Sequence, residues 1–124
     1  MSSRRWRVVF DPGAIAEDLA HATKAVRQIG EQAVARLDRD GIVREQLYAC
    51  KADGRDGTRL PGCVKTYLPW PGGRCGMVLE LRIDEHGPLL FCLAFGIRHP
   101  ARNSGRPSVY QVAHERLHQP AADD

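Results

Sequence analysis

The sequence predicts an α+β domain in which a strand and two N-terminal helices precede an antiparallel sheet, and a third helix ends the chain. Three observations predict this class. A helical apolar pattern follows the first strand-like segment, three strand-like segments are joined by short turns, and a capped helix pattern comes last. The 124 residues suit one domain, 1–124, that buries enough surface to fold without a disulfide or a metal.

The N-terminal part predicts a strand followed by two helices. Residues 6–10 are rich in β-formers and predict a short strand. Asp11 followed by Pro12 is typical of a helix start, and Thr23 can cap a second helix. Residues 42–50 leave open whether the chain adds further helical turns. The second helix carries one apolar stripe, formed by Val26, Ile29, Ala33, Val34 and Leu37.

The second half predicts three strands in an antiparallel meander. A glycine-rich polar loop at 52–62 precedes the first strand, 64–70. Residues 77–84 alternate between apolar and polar and predict a half-buried strand, whereas 89–97 are almost all apolar and predict the central strand. Because proline- and glycine-containing turns join these segments tightly, neighbouring strands should run antiparallel.

The C-terminal part predicts a helix after a long polar loop, 100–107. Ser108 followed by Gln111 forms a capping-box pattern. The apolar side of this helix carries Val109, Val112, Ala113 and Leu117. Proline ends the helix at 120, and we expect 119–124 to be a disordered tail.

Charge and composition argue against a membrane protein and are compatible with a phosphate-binding surface. No apolar run approaches the ~18 residues of a membrane helix, and no signal-peptide core follows the N-terminal arginines, so we expect a cytoplasmic protein without a membrane partner. The net charge is only +3, but bases cluster near the C-terminus. Such a face suits phosphate binding and equally suits a solvated basic surface. Its bases are Arg98, His99, Arg102, Arg106, His114, Arg116 and His118.

The cysteines predict neither a metal site nor a disulfide framework. Cys50, Cys63, Cys75 and Cys92 form no CxxC pair, so the spacing typical of zinc ligands is missing. Cys92 lies in an apolar run and is expected in the core. Reduced thiols fit a cytosolic protein, and we predict no metal and no cofactor.

Five local patterns occur in a particular order along the chain. These are Phe10-Asp11 entering the helices, the Leu60-Pro61-Gly62 turn before Lys65, the Ile83-Asp84-Glu85 hairpin, Phe95-Gly96-Ile97-Arg98 at a strand end, and Val109-Tyr110-Gln111-Val112-Ala113 with Arg116-Leu117 in the last helix. In this order they resemble the RelE/ParE toxin superfamily, and within it the RelE-type mRNA interferases. The resemblance covers residues 6–118.

The resemblance implies a RelE-like fold and a toxin of a type II toxin–antitoxin system. RelE-type toxins are endoribonucleases that cut mRNA in the ribosomal A site without a metal. In this reaction the 2′-hydroxyl attacks the adjacent phosphate, so the enzyme must position that hydroxyl, move protons and stabilise the charge of the transition state. The implied partners are mRNA, the ribosome and a cognate antitoxin protein.

The resemblance also implies roles for individual residues. Lys65 matches a lysine that stabilises the transition state, Arg98 matches a catalytic arginine, and Tyr110 matches a tyrosine that orients the 2′-hydroxyl or stacks on a base. Some relatives use histidine for proton transfer, which makes His99 and His114 candidates, because histidine titrates near neutral pH. The arginines expected to bind RNA are Arg74, Arg102, Arg106 and Arg116.

The chain departs from the family pattern at two positions. The second family lysine, two positions after Lys65, is Tyr67 here, and a family arginine aligns with Met77, although Arg74 could substitute in a shifted hairpin. Two other functions therefore stay open. One is a ParE-like inhibitor of DNA gyrase, which needs no nuclease residues, and the other is a non-catalytic binding protein on the same scaffold.

Overall fold

The computed structural model describes residues 5–51, 54, 57–69 and 73–119. Within these residues the protein has three helices and seven strands, which confirms the α+β class. The helices are α1 (Pro12–Ala20), α2 (Lys24–Asp40) and α3 (Val109–Leu117). The strands are β1 (Arg5–Trp6), β2 (Val8–Phe10), β3 (Ile42–Val43), β4 (Tyr48–Ala49), β5 (Cys63–Leu68), β6 (Cys75–Asp84) and β7 (Gly87–Ile97). None of the described helices is long and apolar enough to cross a membrane.

Five strands form one sheet in the order β2-β7-β6-β5-β4. The predicted antiparallel meander of β5, β6 and β7 is confirmed, with Thr66 opposite Met77 and Met77 opposite Phe95. β2 joins β7 in parallel, with Val8 opposite Leu90. The prediction of 89–97 as the central strand is wrong: β6 is the middle strand, because β2 adds one strand outside β7 and β4 adds one outside β5.

Two N-terminal segments differ from the predicted elements. The strand expected at 6–10 is divided at Arg7, because β1 pairs antiparallel with β3 while β2 enters the main sheet. Residues 42–50, left open by the sequence, form β3 and β4 around one 3₁₀ turn, Arg44–Gln46. Gly41 makes the turn from α2 into β3 with φ +69°, and a Cβ there would collide with the Trp6 carbonyl oxygen.

The other predicted elements are present with shifted ends. The strand expected at 64–70 is β5, and the helix expected after Ser108 is α3, with both hydrogen bonds of the predicted capping box. Trp70 and the tail residues 120–124 lie outside the described residues, and the loop at 52–62 is described only in part.

The helices cover both faces of the sheet. On one face α1 and α2 bury a core that includes Ile15, Leu37 and Leu79, and on the other face α3 buries a second core. β6 is therefore buried on both faces from 75 to 79, whereas Ile83 near its end is 80% exposed. The prediction of a half-buried strand is therefore wrong for both parts of β6. Its first part is covered by helices on both faces, and its last part extends beyond those helices into solvent.

An ion pair between two helices makes hydrogen bonds to the backbone at a β-bulge in β7. Leu93 is the extra residue of the bulge, and β2 ends opposite Cys92, so residues 93–95 continue beyond it. There the Phe95 N–H donates to Asp18 Oδ2 over 2.9 Å, and the Leu93 carbonyl accepts from Arg116 Nη1 over 2.8 Å. Arg116 also makes two hydrogen bonds to Asp18, of 2.9 and 2.7 Å. The pair thus joins α1 to α3 and satisfies backbone groups of the bulge.

Candidate functional site

Lys65, Arg98 and Tyr110 come from three elements and meet on the α3 face of the sheet. Lys65 lies on β5, Arg98 follows the last residue of β7, and Tyr110 is the second residue of α3. Arg98 Nε donates to the Tyr110 hydroxyl over 3.0 Å. The Lys65 ammonium lies 5.2 Å from the centroid of the Tyr110 ring. The structure therefore brings together Lys65, Arg98 and Tyr110, three of the five residues that the resemblance makes catalytic candidates.

The Arg98 guanidinium is held from three directions. Besides the bond to Tyr110, its Nη1 donates to the Gly73 carbonyl over 3.3 Å, and its Cζ lies 3.9 Å from the centroid of the Tyr67 ring. Its backbone N–H donates to the Arg74 carbonyl over 2.9 Å. A guanidinium has five N–H groups, so its contacts with the described residues leave donors for an oxyanion while they restrict its rotation.

Two tyrosines that are not among the residues predicted from the sequence also belong to the site. Tyr67 lies two residues after Lys65 on the same face of β5, and Tyr48 lies opposite Lys65 on β4. The Tyr48 and Tyr67 rings are stacked, with centroids 4.8 Å apart and an interplanar angle of 18°. Recognising 48–49 as a strand would have placed Tyr48 here. We call Tyr48, Lys65, Tyr67, Arg98 and Tyr110 the cationic–aromatic cluster.

The two candidate histidines differ in their surroundings. His99 is exposed, and its ring centroid lies 6.3 Å from that of Tyr110. The Nδ1 atom of His114 accepts a hydrogen bond of 2.8 Å from the Arg59 backbone N–H, and its ring packs 4.4 Å from that of His118. An accepting Nδ1 leaves the ring proton on Nε2. His99 is thus next to the cluster, whereas His114 anchors the loop that leads into β5.

Arg74 and Arg102 are both exposed, in different settings. The Arg74 carbonyl accepts the Arg98 backbone hydrogen bond, which places Arg74 next to the cationic–aromatic cluster. Arg102 begins the 3₁₀ turn Arg102–Ser104 in the loop after β7. Both side chains can reach a ligand from the surface.

Arg106 and Arg116 make contacts with α1 and its C-terminus. Arg106 Nη1 donates to the His21 carbonyl over 2.8 Å, and Arg116 is paired with Asp18. The Arg116 side chain is only 18% exposed. Of the four arginines expected to bind RNA, the structure therefore uses these two to hold its own elements together.

Burial disfavours the thiolate form of the described cysteines. Burial raises the pKa of Cys50 to about 11 and that of Cys63 to about 12. The thiolate is the reactive form of cysteine, and it is scarce at these pKa values. Within the described ranges, no three histidine, cysteine, aspartate or glutamate side chains group so that they could hold a metal ion. What the cluster itself offers is positive charge, a phenol and aromatic surface.

Comparison with known proteins finds a similarity among solved structures. No family model matches the chain, and no curated protein matches it. Among solved structures, the chain is similar to a double arginine-to-alanine mutant of the E. coli toxin RelE in the free state, with a TM-score of 0.44 and 17% identity. That similarity covers 92% of this chain and 99% of the other. It concerns the course of the chain and not individual residues.

Proposed function

We propose that this chain is a RelE-type toxin, an endoribonuclease that cleaves mRNA by attack of a 2′-hydroxyl on the adjacent phosphate. The observation that carries the proposal is the meeting of Lys65, Arg98 and Tyr110, with Arg98 Nε 3.0 Å from the Tyr110 hydroxyl. Two cations can stabilise charge on a phosphate, and a held phenol can orient a hydroxyl. The order of sequence motifs that resembles the RelE-type interferases supports the same assignment.

In the proposed reaction the O2′–P bond forms and the P–O5′ bond breaks. The products are a 2′,3′-cyclic phosphate and a 5′-hydroxyl, so one proton leaves O2′ and one reaches O5′. The planar Arg98 fork faces the non-bridging oxygens, where negative charge accumulates, and Lys65 adds a second positive charge. Because Arg98 is already held by Tyr110, Gly73 and Tyr67, little reorganisation is needed as the charge develops.

We assign removal of the O2′ proton to His99 rather than to His114, and solvent water supplies the proton that reaches O5′. His99 is exposed beside Tyr110, whereas Nδ1 of His114 is engaged by the loop at Arg59. The Tyr110 hydroxyl accepts from Arg98 and keeps its own proton to donate to the RNA. General acid–base catalysis by a positioned histidine is worth about 10²–10⁴ in rate.

The proposed partners are the ribosome with its mRNA and a cognate antitoxin, which implies a cytoplasmic location. With a net charge of +3, the chain has little long-range attraction for free RNA. A ribosome that presents the mRNA would supply the missing binding energy. An antitoxin is required in the cell because an active mRNA nuclease stops growth.

A gyrase-inhibiting toxin is the second candidate. The observation that favours it is Tyr67, which stands where the resemblance expects a second lysine and contributes a ring instead of a charge. Such a toxin needs no phosphate-directed catalysis by its own residues. The two candidates therefore predict different damage in the cell: cleaved mRNA for the nuclease, and altered DNA for the gyrase inhibitor.

The test is induced expression without an antitoxin, combined with cleavage assays on purified protein with and without ribosomes. We expect growth arrest, mRNA cuts inside translated frames, cyclic-phosphate ends, and cleavage by the purified protein that depends on ribosomes. Arrest with intact mRNA and a loss of DNA supercoiling would instead establish the gyrase candidate. Unaffected growth at full soluble expression would contradict both, and leave a binding protein.

A further inference from the structure

We propose that an unpaired RNA base stacks on the outer face of the Tyr48 ring, next to the phosphate site at Arg98. This inference rests on the proposed function as an RNA endonuclease and adds a binding residue to it. The ligand is the flat face of a nucleobase in a single strand, whose own phosphate lies toward Lys65 and Arg98.

The first observation is a continuous column of flat groups. The Arg98 guanidinium lies 3.9 Å from the Tyr67 centroid, and the Tyr67 ring stacks on Tyr48 at 4.8 Å. Planar groups that stack at such distances form the same kind of surface that successive bases use in a single strand. The column therefore starts at the cation that would meet the phosphate and ends at Tyr48.

The second observation is the exposure of Tyr48. It lies on the two-residue edge strand β4 and is 45% exposed, although one ring face is covered by Tyr67. A large aromatic side chain on an edge strand loses hydrophobic stabilisation by remaining open to water. A base laid on the outer face would bury that surface and extend the column by one ring.

The third observation is the position of Lys65 between the rings. Its ammonium lies 5.8 Å from the Tyr67 centroid and 5.2 Å from the Tyr110 centroid, and its backbone lies opposite Tyr48 in the β4–β5 pair. Residues opposite each other in an antiparallel pair have neighbouring side chains on one face. A nucleotide stacked on Tyr48 therefore has a positive charge beside it for its phosphate.

This geometry gives affinity without sequence choice. Every base has a π-face, and one base–aromatic stack typically changes binding about 5- to 150-fold. We expect the site to lower the KM for RNA and to leave the chemical step at Arg98 nearly unchanged.

The experiment compares the wild type with Tyr48→Leu, which keeps an apolar side chain but loses the ring, and with the conservative Tyr48→Phe. The probe is a short RNA, tested both free and on programmed ribosomes. It is blocked by a 2′-O-methyl group at the scissile position and carries 2-aminopurine next to it, whose fluorescence falls when the base stacks. We expect the wild type to quench the probe, Tyr48→Leu to lose quenching and to raise KM at least fivefold with kcat within about threefold, and Tyr48→Phe to restore both. Ile83→Ala, at an 80% exposed position far along β6, is the matched surface control.

The outcomes separate this inference from the proposed function. RNA cleavage with equal KM and equal quenching in the wild type and Tyr48→Leu would overturn the stacking site alone. Absence of cleavage by the wild type would overturn the proposed function, and quenching that still depends on the Tyr48 ring would then support the base site by itself. Absence of quenching by the wild type would overturn the base-stacking site at Tyr48. Thermal melts of every variant confirm folding.

Discussion

Arg98 combines an ordinary strand-end position with an unusual degree of restraint. Its backbone continues from β7, and its side chain contacts Tyr110, Gly73 and Tyr67. Gly76 on β6, opposite Gly96 on β7, leaves room for the side chain of Arg98, since a Cβ at Gly76 would approach Arg98 Cγ to 3.0 Å. A donor restrained in this way is preorganised for a charge that appears only in the transition state.

The prediction at this scale is that Arg98→Ala lowers the mRNA cleavage rate about 10²–10³-fold, as removal of one preorganised donor does. Arg98→Lys should recover only part of the rate, because an ammonium lacks the guanidinium fork. Single-turnover cleavage on ribosomes measures the effect, and thermal melts control for folding. Wild-type cleavage by a folded Arg98→Ala protein would remove Arg98 from the site.

At the scale of elements, the Asp18–Arg116 pair holds α1 and α3 around the bulged end of β7. The Asp18 side chain is 6% exposed and that of Arg116 18%, so both charges are largely removed from water. A buried pair is costly to break by removing one partner, because the other charge is left uncompensated.

We therefore predict that Asp18→Leu lowers the free energy of unfolding by about 3–5 kcal/mol. We also predict that the Asp18→Leu/Arg116→Met double variant is destabilised by less than the sum of the Asp18→Leu and Arg116→Met single variants. Urea unfolding measures both. The double variant, where folded, should still cleave mRNA, because the role of Arg116 is to hold α1 and α3 together and not to contact RNA. A folded double variant that cleaves no mRNA would instead support Arg116 as an RNA-binding residue.

A second ion pair fastens the end of the β6–β7 hairpin. Arg7 Nη2 donates to Asp84 Oδ1 over 2.6 Å, and Asp84 also accepts from the His86 backbone N–H. The hydrogen bond from Arg7, with a smaller contribution from His86, holds the pKa of Asp84 below its usual value. A lowered carboxyl pKa stabilises the fold above the unfolded-state pKa near 3.9, and this stabilisation disappears as the pH falls through the folded pKa.

Asp84→Asn should therefore lower Tm slightly at pH 7, and the difference from the wild type should shrink at an acidic pH below the unfolded-state pKa. Scanning calorimetry at the two pH values checks this prediction. A Tm difference that persists unchanged in acid would mean that Asp84 acts through shape or hydrogen bonding alone.

At the scale of the whole molecule, the distribution of charge limits the RNA binding expected under the proposed function. The net charge is +3, and two of the C-terminal arginines are engaged with α1 and its C-terminus. Under the proposed function, Lys65 and Arg98 would then be the main phosphate contacts of the cluster. Each phosphate contact to a single strand adds about −0.7 to the slope of log affinity against log salt.

We predict a slope between about −1 and −2 for binding of the protein to a short free RNA. Fluorescence anisotropy across a salt series measures it, with Lys65→Met expected to reduce its magnitude by about one contact. A slope steeper than about −4 would show that a wider basic surface, including Arg74 and Arg102, binds the RNA.

The sequence by itself determined the local elements of this protein. The caps at Asp11, Thr23 and Ser108 and the meander of β5, β6 and β7 were predictable, because they depend on residues a few positions apart. Lys65, Arg98 and Tyr110 were singled out only through a resemblance of motif order, and no periodicity would have joined them.

Only the tertiary structure decided the long-range pairs. The parallel pairing of β2 with β7, the pairing of Arg116 with Asp18 across 98 positions, and the stacking of Tyr48 on Tyr67 all depend on which segments the sheet order brings together. A short strand such as β4 has too few residues to show an alternating pattern, so it becomes visible only through its partner β5. The cationic–aromatic cluster is complete only when that pairing forms, because Tyr48 reaches Tyr67 from the neighbouring strand.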